Sequence, residues 1–399
     1  MQIYNVNMLL RILFILIPTL LLPSIYLTWR FRRTLNTAWQ KVLVFLPAVT
    51  LLIIGFILAT NRSYSPKEYE AVGLLTITIL VYASMLLILA LCCLAGRVFK
   101  RWANVEKAFW GIGIACCAVL FGVSLYSYHY GIYKLQTTHE DLYFDDLPEA
   151  FDNYRIVFFT DFHLGTYGDN TKFPRRVIDA IIREKGDIVL CGGDLINYDT
   201  KEILPFIHEL KRIKASDGVY TVMGNHDYQI HRKWSSQLAQ TNSVQRFKGL
   251  HKAIKWRLLL NESCFIRRGS DSIAIIGVEN DGRPPFPELG DLPKALRNVP
   301  DSLKRKPFFK ILITHDPTHW RRKVLPETDI QLTLAGHTHA GQFQLGKSSP
   351  VAKVYKEWGG LYESGDRKLF VSKGIGQALL TFRLGAWPEI NVITLHCRK

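Results

Sequence analysis

Five short motifs between Asp161 and His339 carry side chains that can hold metal ions. They combine carboxylate, amide and imidazole groups and read, in chain order, Asp161-Phe162-His163, Gly193-Asp194, Gly224-Asn225-His226-Asp227, Thr314-His315-Asp316 and Gly336-His337-Thr338-His339. Oxygen and nitrogen donors of these types bind divalent transition metals. The set is large enough for two ions, and a pair of ions can polarise a phosphoryl oxygen and supply a hydroxide nucleophile at neutral pH. The motifs therefore indicate the chemistry of phosphoester hydrolysis.

Taken one at a time, the motifs are less specific. An Asp-x-His triplet is common in solvated loops, and Gly-Asp after an apolar strand is equally typical of a turn or a helix N-cap. Gly-Asn-His-Asp is more informative, because Asn225 offers a neutral oxygen and His226 can act as a general acid. His337 and His339 can face one centre, since alternate side chains of an extended segment point the same way. The ordered combination, with every motif after a predicted strand, is what indicates a common site.

The elements that must position these motifs alternate between strands and helices. Strands are predicted at 155–160, 187–191 and 219–223, with helices at 173–185 and 201–214 between them, which is typical of an α/β domain. Further strands are predicted at 273–278, 310–314, 331–335, 369–371 and 390–395. This surplus of strands favours two packed sheets flanked by helices. We expect the motifs to gather at strand carboxyl ends, where α/β sheets form their binding crevice.

Four long apolar segments precede this domain, at Ile12–Trp29, Val42–Thr60, Ala71–Gly96 and Ala108–Tyr126. Each has roughly the length that a helix needs to cross a hydrocarbon core of about 30 Å. Prolines inside them do not exclude helices, since neighbouring helices can satisfy the freed backbone groups. A signal peptide is the alternative for the first segment, but a small-residue cleavage site is missing. The predicted organisation is a four-helix transmembrane region at 1–130, a connector at 131–150 and a catalytic domain at 151–399.

Basic residues predict how these segments are oriented. They are concentrated in the first and third links between segments, as Arg30, Arg32, Arg33, Lys41, Arg97, Lys100, Arg101 and Lys107. In the middle link Arg62 and Lys67 are offset by Glu68 and Glu70. Lys and Arg accumulate in cytoplasmic loops, so the first and third links should be cytoplasmic. We therefore expect an integral protein of the cell membrane with its catalytic domain outside the cytoplasm.

Charge and cysteine content add two exclusions. The net charge is +16, of which residues 1–130, with 11 basic and 3 acidic side chains, hold +8. The remainder suits phosphorylated substrates but is too diffuse to indicate nucleic-acid binding. Seven cysteines, four of them in the apolar segments, are too few and too irregular for a disulfide framework, and no Cys-x-x-Cys suggests a zinc site. Oxidation of one pair among Cys191, Cys264 and Cys397 stays open.

The ordered motifs resemble those of the calcineurin-like metallophosphoesterase superfamily, in particular its membrane-attached bacterial branch. The resemblance runs from about Tyr154 to Leu395 and includes a closing series, Trp358-Gly359-Gly360-Leu361-Tyr362, Phe370-Val371-Ser372-Lys373-Gly374-Ile375-Gly376, Arg383 and Pro388-Glu389-Ile390. It implies a four-layer α-β-β-α sandwich with two metals at the sheet ends. Phe162 and Ala340 stand where Leu and Gly are more usual, which concerns only local loop shape.

The resemblance also implies a role for each motif residue. Asp161, His163 and His339 would bind one metal, Asn225, His315 and His337 the other, and Asp194 would bridge the two. A metal-bridging hydroxide would attack phosphorus in line, while His226 donates a proton to the leaving-group oxygen or holds a phosphate oxygen. Two divalent ions are expected, manganese first, with iron or zinc as alternatives.

Some polar residues near the motifs are less defined. Arg383 is expected to contact the substrate phosphate because of its place in the closing series, and Arg267, Arg268 and Arg283 are further candidates. Asp316 and His319 could support His315 as hydrogen-bonding partners. We expect them instead to be solvated loop residues, which is the commoner case.

These inferences predict a membrane-anchored, dinuclear metal-dependent phosphoester hydrolase. Superfamily members cleave protein phosphoesters, nucleotides, nucleic acids and lipid-linked diphosphates with the same centre, so the leaving group stays open. Membrane attachment favours a phosphorylated small molecule or an envelope or lipid-linked phosphodiester, diphosphate or phosphomonoester, with no nucleic acid as partner. The alternative is a non-catalytic metal- or phosphate-binding membrane sensor or accessory protein. The complete motif set and the lack of charge well inside the apolar segments disfavour it.

Overall fold

The computed structural model describes residues 2–60, 66–297, 308–378 and 380–398. The chain divides into two units, the first comprising Met1–Tyr130 and Leu379–Phe382 and the second Gly131–Ala378 and Arg383–Lys399. Arg62, one of the residues on which the predicted orientation depends, lies outside the described residues. All seven cysteines are free, in keeping with the absence of a disulfide framework.

Within the described residues, each predicted apolar segment of the first unit lies in a helix. The helices are α1 (Gln2–Arg30), α2 (Ala38–Thr60), α3 (Pro66–Val98) and α4 (Ala103–His129). Three described stretches are long and apolar enough to cross a membrane, namely Ala38–Leu58, Ala71–Val98 and Ala103–Tyr133, whereas the apolar stretch of α1 is the shorter Ile15–Arg30. The structure therefore provides three candidate spans where the sequence predicts four.

The helices of the first unit share a small apolar core and leave most of their apolar surface exposed. Leu20, Ala48, Ile79 and Cys93 are buried between them, but only 11% of the apolar stretch in α2 is buried. A surface of this kind suits hydrocarbon better than water. The unit is thus built as a membrane anchor would be.

The second unit contains two six-stranded sheets. The first sheet has the strand order β1-β12-β2-β3-β4-β5, made of β1 (Gln136–Phe144), β2 (Tyr154–Phe159), β3 (Ile188–Cys191), β4 (Val219–Thr221), β5 (Arg257–Leu258) and β12 (Glu389–Cys397). The second has the order β10-β11-β9-β8-β7-β6, made of β6 (Glu262–Arg268), β7 (Asp271–Gly277), β8 (Lys310–Ile313), β9 (Leu332–Ala335), β10 (Gly360–Ser364) and β11 (Arg367–Val371). β2 to β5 are mutually parallel, as are β7, β8, β9 and β11.

Helices connect these strands. They include α5 (Lys172–Arg183), the four-residue α6 (Ile207–Leu210), α7 (Gln237–Ala253), α8 (Leu292–Arg297) and the three-residue α9 (Leu325–Glu327). The helix predicted at 201–214 is instead a 3-10 helix, Thr200–Phe206, followed by α6. Pro205 lies inside this segment, and because proline has no N–H and its ring clashes with the preceding turn, it disfavours a continuous α-helix.

Three apolar clusters hold the second unit together. One is shared by the two sheets, with Ile156 and Ile188 of the first sheet and Ile275 and Ile311 of the second. Another joins the first sheet to residues of α5 and α7, among them Val177, Ile181 and Phe247. The third joins the second sheet to α8 and Trp320. Each sheet therefore buries apolar residues in two different clusters.

The expected connector at 131–150 contains β1. This strand pairs in parallel with β12 over nine residues, from Gln136 opposite Glu389 to Phe144 opposite Cys397. Only Leu142 and Phe144 of β1 are buried. The sequence of this strand therefore lacks the apolar pattern from which a strand is predicted. Edge strands often carry charged residues because these discourage pairing with other chains.

Candidate metal centre

The candidate ligands follow five strands of the two sheets. β2, β3 and β4 of the first sheet lead to Asp161, Asp194 and Asn225, while β8 and β9 of the second lead to His315 and His337. Parallel neighbours have their carboxyl ends at the same edge of a sheet. The loops after these strands therefore bring the motifs together, in the way the sequence pattern predicts.

Five candidate ligands have a backbone conformation that L-residues rarely adopt. The φ angles are +53° at Asp161, +48° at His163, +53° at Asp194, +71° at His337 and +50° at His339. A non-glycine residue in this region costs on the order of 1–3 kcal/mol, and such residues cluster at functional sites. The concentration of strain in these residues indicates that the loops are shaped to aim their side chains.

Two glycines allow the backbone to approach the buried carboxylates. A Cβ atom at Gly224 would collide with the carboxylate of Asp194, and one at Gly336 would collide with Asp161 and Thr160. Only a residue without a side chain fits at these positions. The glycines of the motifs are therefore required by the close packing around the candidate ligands.

Asp161, His163 and His339 form the first group of possible metal ligands, with one donor atom from each lying within 4.8 Å of the others. His163 Nε2 lies 3.1 Å from His339 Nε2, and His339 Nε2 lies 3.3 Å from Asp161 Oδ1. All three residues are buried. Donors at such separations can share one ion at bond lengths of about 2.1 Å.

Asp194, His315 and His337 form another group with donor atoms within 4.8 Å of one another, and Asp194 also groups with His163 and His226. His315 Nε2 lies 3.1 Å from Asp194 Oδ2, and His163 Nε2 lies 3.7 Å from the same oxygen. The carboxylate of Asp194 is thus shared between neighbouring groups. This is the position that a bridging ligand requires.

The amide oxygen of Asn225 is buried and unsatisfied. Its Oδ1 has no hydrogen-bond partner among the described residues, and a buried polar atom without a partner costs about 1–3 kcal/mol. His315 Nδ1 donates to Gly192 O at 2.9 Å, so a neutral His315 ring would offer its Nε2 lone pair to an ion in place of the contact with Asp194. A divalent cation would satisfy both donor atoms, and the donor set therefore fits such an ion.

Charges within the centre shift the pKa values of its groups. Burial would raise the pKa of Asp194, yet the nearby imidazoles of His315 and His226 hold it well below its usual range. Burial would lower the pKa of His315, but Asp194 raises it to about 10. For His163 and His339, burial dominates and lowers the pKa. Without metal, Asp194 and His315 thus form an ion pair, while the other two rings are neutral.

His226 lies beside both groups. Its Nδ1 donates to Asn197 O at 2.7 Å, and its backbone N–H donates to Asp194 Oδ1 at 2.9 Å. Its ring packs edge-on against that of His163, with 4.7 Å between centroids. These contacts hold the ring in one orientation. Because Nδ1 is already hydrogen-bonded, Nε2 is the nitrogen that can contact a bound molecule.

Arg383 is placed differently from the expected phosphate contact. Its side chain is 0% exposed. The guanidinium donates to the carbonyls of Lys373, Gly376 and Ala386 and, at 3.0 Å, to Nδ1 of His339. Because its donors are engaged within the fold, Arg383 supports the ring of a candidate ligand and does not lie open to a phosphate.

The other arginines considered as phosphate contacts also have defined places. Arg268 pairs with Asp187 at 2.7 Å, and Arg267 is an exposed residue of β6. Arg283 is exposed in a loop that brings Phe286 against His337, with ring centroids 4.7 Å apart. Of these three, only Arg283 belongs to a loop in contact with the candidate centre.

The expectation that Asp316 and His319 are solvated is wrong, since both are 0% exposed. Asp316 Oδ2 lies 3.8 Å from His337 Nε2, and His319 Nδ1 lies 3.1 Å from Thr314 Oγ1. Both follow the buried strand β8 on a turn that stays inside the fold. They therefore contribute to the surroundings of the candidate ligands.

Sequence reasoning missed three residues that contact the centre. Nε2 of His231 lies 3.0 Å from Nδ2 of Asn225, the Tyr355 hydroxyl lies 2.9 Å from Nε2 of His337, and Asn197 provides the carbonyl for His226. None of them belongs to a motif, and Tyr355 is 18 positions from its partner. Only the folded chain identifies such contacts.

Comparisons with known proteins agree with this geometry. Residues 154–341 match a family model described as calcineurin-like phosphoesterase. The chain is 28% identical over 279 residues to the uncharacterized metallophosphoesterase YkuE of Bacillus subtilis, covering 66% of this chain and 86% of that protein. It is 27% identical over 278 residues to an uncharacterized metallophosphoesterase of Helicobacter pylori, covering 69% and 68% of the two chains.

A similar protein also occurs in a vertebrate. The chain is 28% identical over 264 residues to a transmembrane protein with metallophosphoesterase domain of Bos taurus, covering 63% of this chain and 54% of that protein. This chain combines the matched domain with three helices apolar enough to cross a membrane. The bovine protein is named as a transmembrane protein. The family match, the relatives and the clustered ligands together identify residues 154–341 as a domain of the calcineurin-like metallophosphoesterase superfamily.

Proposed function

We propose that the protein is a membrane-anchored phosphoester hydrolase that uses two divalent metal ions. In this proposal Asp161, His163 and His339 bind one ion, Asn225, His315 and His337 bind the other, and Asp194 bridges them. The observation that carries the proposal is the position of Asp194, whose carboxylate lies in one group of possible ligands with His163 and His226 and in another with His315 and His337. The expected ligand set is complete, and the buried Oδ1 of Asn225 has no other partner among the described residues.

Two bound ions would supply activated water and polarise a phosphoryl oxygen. The protein's own contribution starts with His226, whose Nδ1 is committed to the carbonyl of Asn197. The protonated ring therefore carries its transferable proton on Nε2, from which it can reach a leaving-group oxygen. The hydrogen bond from the backbone N–H of His226 to Asp194 holds the His226 ring beside the proposed bridging carboxylate.

We also propose a four-layer α-β-β-α arrangement for the second unit. The apolar cluster common to both sheets, and the separate clusters that join each sheet to helices, support it. In this arrangement the catalytic domain covers residues 151–399 together with β1, which pairs with β12. The layers leave the strand carboxyl ends of both sheets free to build one centre.

For the first unit we propose four membrane spans, with the catalytic domain outside the cytoplasm. The three long apolar stretches support membrane insertion. The helical apolar segment of α1 supports a fourth span, and the basic links after α1 and α3 support the orientation. An anchor of this kind brings the centre to substrates of the cell envelope.

The substrate class follows from this location. We propose an envelope or lipid-linked phosphodiester, diphosphate or phosphomonoester, bound without any nucleic acid. Arg283 replaces Arg383 as the proposed phosphate contact, because it is exposed in the loop that touches His337. Manganese is the proposed metal, and iron or zinc would suit the same donors.

Hydrolysis by the full-length protein in detergent tests this function. A generic phosphodiester and a generic phosphomonoester are offered with and without manganese, beside Asp194→Asn and the surface variant Asp179→Asn. We expect metal-dependent turnover that Asp194→Asn abolishes and Asp179→Asn retains, because only the first removes the shared carboxylate charge. Metal-loaded, folded protein that turns over neither these esters nor envelope lipid extracts would favour the binding protein over the enzyme.

A further inference from the structure

The side-chain amide of Asn225 must present its oxygen, and not its nitrogen, to a cation. Oδ1 is buried and has no hydrogen-bond partner among the described residues, whereas Nδ2 lies 3.0 Å from Nε2 of His231. The amide nitrogen can only donate, so Nε2 of His231 accepts. This one contact distinguishes the two ends of the amide.

Nothing intrinsic to Asn225 fixes the amide in this orientation. Its backbone has ordinary right-handed angles, φ −65° and ψ −33°. The terminal torsion of an asparagine side chain is broad and roughly two-fold, so both amide orientations are accessible to it. An outside acceptor for the nitrogen is therefore what selects the oxygen-inward orientation.

We propose that His231 is a positioning residue, which holds the amide of Asn225 with its oxygen toward Asp194, His315 and His337, and on which metal binding by that group depends. The inference rests on the proposed function, because it concerns a metal held at this centre. The His231 ring is half-buried, and its centroid lies 4.3 Å from that of His226. It is thus packed into the wall of the centre, where a neutral ring can keep one acceptor nitrogen in place.

Manganese titration of the full-length protein in detergent tests this inference. The variants are His231→Leu, which removes the acceptor, and His231→Gln, whose amide oxygen can take the place of Nε2. His208→Leu is the control, since His208 is an exposed residue of α6. Calorimetry measures the stoichiometry and the affinity for manganese alone, and hydrolysis of a generic phosphodiester gives kcat and KM.

We expect the wild type and His208→Leu to bind two ions. His231→Leu should lose about 10–100-fold in affinity at one of them, the usual effect of removing a partner of a metal ligand, and His231→Gln should recover most of the loss. The fall in activity should appear in kcat. Should His231→Leu fail to fold, His231→Lys makes the same test, because lysine offers no acceptor.

Two results would overturn the inference while leaving the proposed function intact. One is unchanged manganese affinity in a folded His231→Leu, and the other is a higher KM at normal metal affinity, which would make His231 a substrate contact. A wild-type protein that binds no manganese, iron or zinc would overturn the proposed function and this inference with it.

Discussion

The backbone N–H of Asp194 donates to the carboxylate of Asp227 at 2.8 Å. The same carboxylate accepts from the backbone N–H groups of Leu195 at 3.0 Å, Ile196 at 3.3 Å and Gly224 at 3.0 Å. Asp227 thus ties the loop after β3 to the loop after β4. It holds the left-handed backbone of Asp194, the residue proposed to bridge the metals.

Replacing Asp227 with Asn should weaken both the fold and the metal centre. An amide nitrogen cannot accept a hydrogen bond, so at least one of the four buried N–H groups loses its partner, at about 1–3 kcal/mol. We expect a lower free energy of unfolding in urea and weaker manganese binding. Asp179→Asn, at an ion pair with Arg212 on the surface, should change stability by less than about 0.5 kcal/mol. Equal stability of the two variants would contradict the role assigned to Asp227.

Arg383→Lys tests the position of Arg383. A lysine cannot donate in several fixed directions as a guanidinium does, so carbonyls of the 373–386 loop lose donors, and His339 loses its contact at Nδ1. The expected result is a lower melting temperature and weaker metal binding, with KM for a generic phosphodiester little changed. A raised KM in a protein of normal stability and metal content would instead restore the expected phosphate contact.

The sequence predicts the candidate metal ligands more fully than the residues that hold those ligands in place. Every proposed ligand could be named because a metal site needs particular side chains, and strand ends bring them together whatever the details of packing. Asp316 and His319 are buried against expectation, because a turn after a buried strand usually returns to solvent, whereas this turn stays within the fold. Tyr355 could not be found because it lies 18 positions from His337. His231 is only six positions from Asn225 but belongs to no motif, so its contact is visible only in the folded chain.

The fold shows the same division. Strands such as β3 and β8 are buried on both faces and read as continuous apolar runs. β1 has only two buried residues, Leu142 and Phe144, and the charged Glu140 and Asp141 come directly before them, so its strand character depends on its partner β12. The segment 201–214 does not form the single α-helix expected from the sequence, because Pro205 interrupts it.

Metal binding should depend on pH through His315. In the metal-free protein Asp194 raises its pKa to about 10 against the effect of burial, so at pH 7 the ring is protonated and must lose its proton to bind an ion. We expect release of about one proton from this ring on manganese binding, and weaker binding as pH falls. Calorimetry in two buffers with different ionisation enthalpies measures the release, and Asp194→Asn should reduce it.

The raised pKa of His315 also predicts how the stability of the metal-free protein changes with pH. A raised pKa in the fold adds stability that is fully present below the unfolded value of about 6.5 and is lost as pH rises toward the folded value. Urea unfolding of the metal-free protein should therefore show decreasing stability between pH 7 and pH 10. A profile that is flat over this range, or rises, would contradict the Asp194–His315 ion pair.

The orientation of the chain in the membrane can be tested without any enzymatic assay of its own centre. The basic links after α1 and α3 should stay in the cytoplasm, because Lys and Arg near helix ends resist translocation, and four spans then place the second unit outside. Alkaline phosphatase fused after Lys399 should therefore be active in a bacterial host, whereas a green fluorescent protein at the same site should be dark. Deleting α1 should leave both signals unchanged, because the basic link after α1 would then form a cytoplasmic N-terminus and the three remaining spans still end outside. Inactive alkaline phosphatase on the full-length chain would contradict the proposed orientation, because a cytoplasmic link before α4 places the second unit outside with either three or four spans.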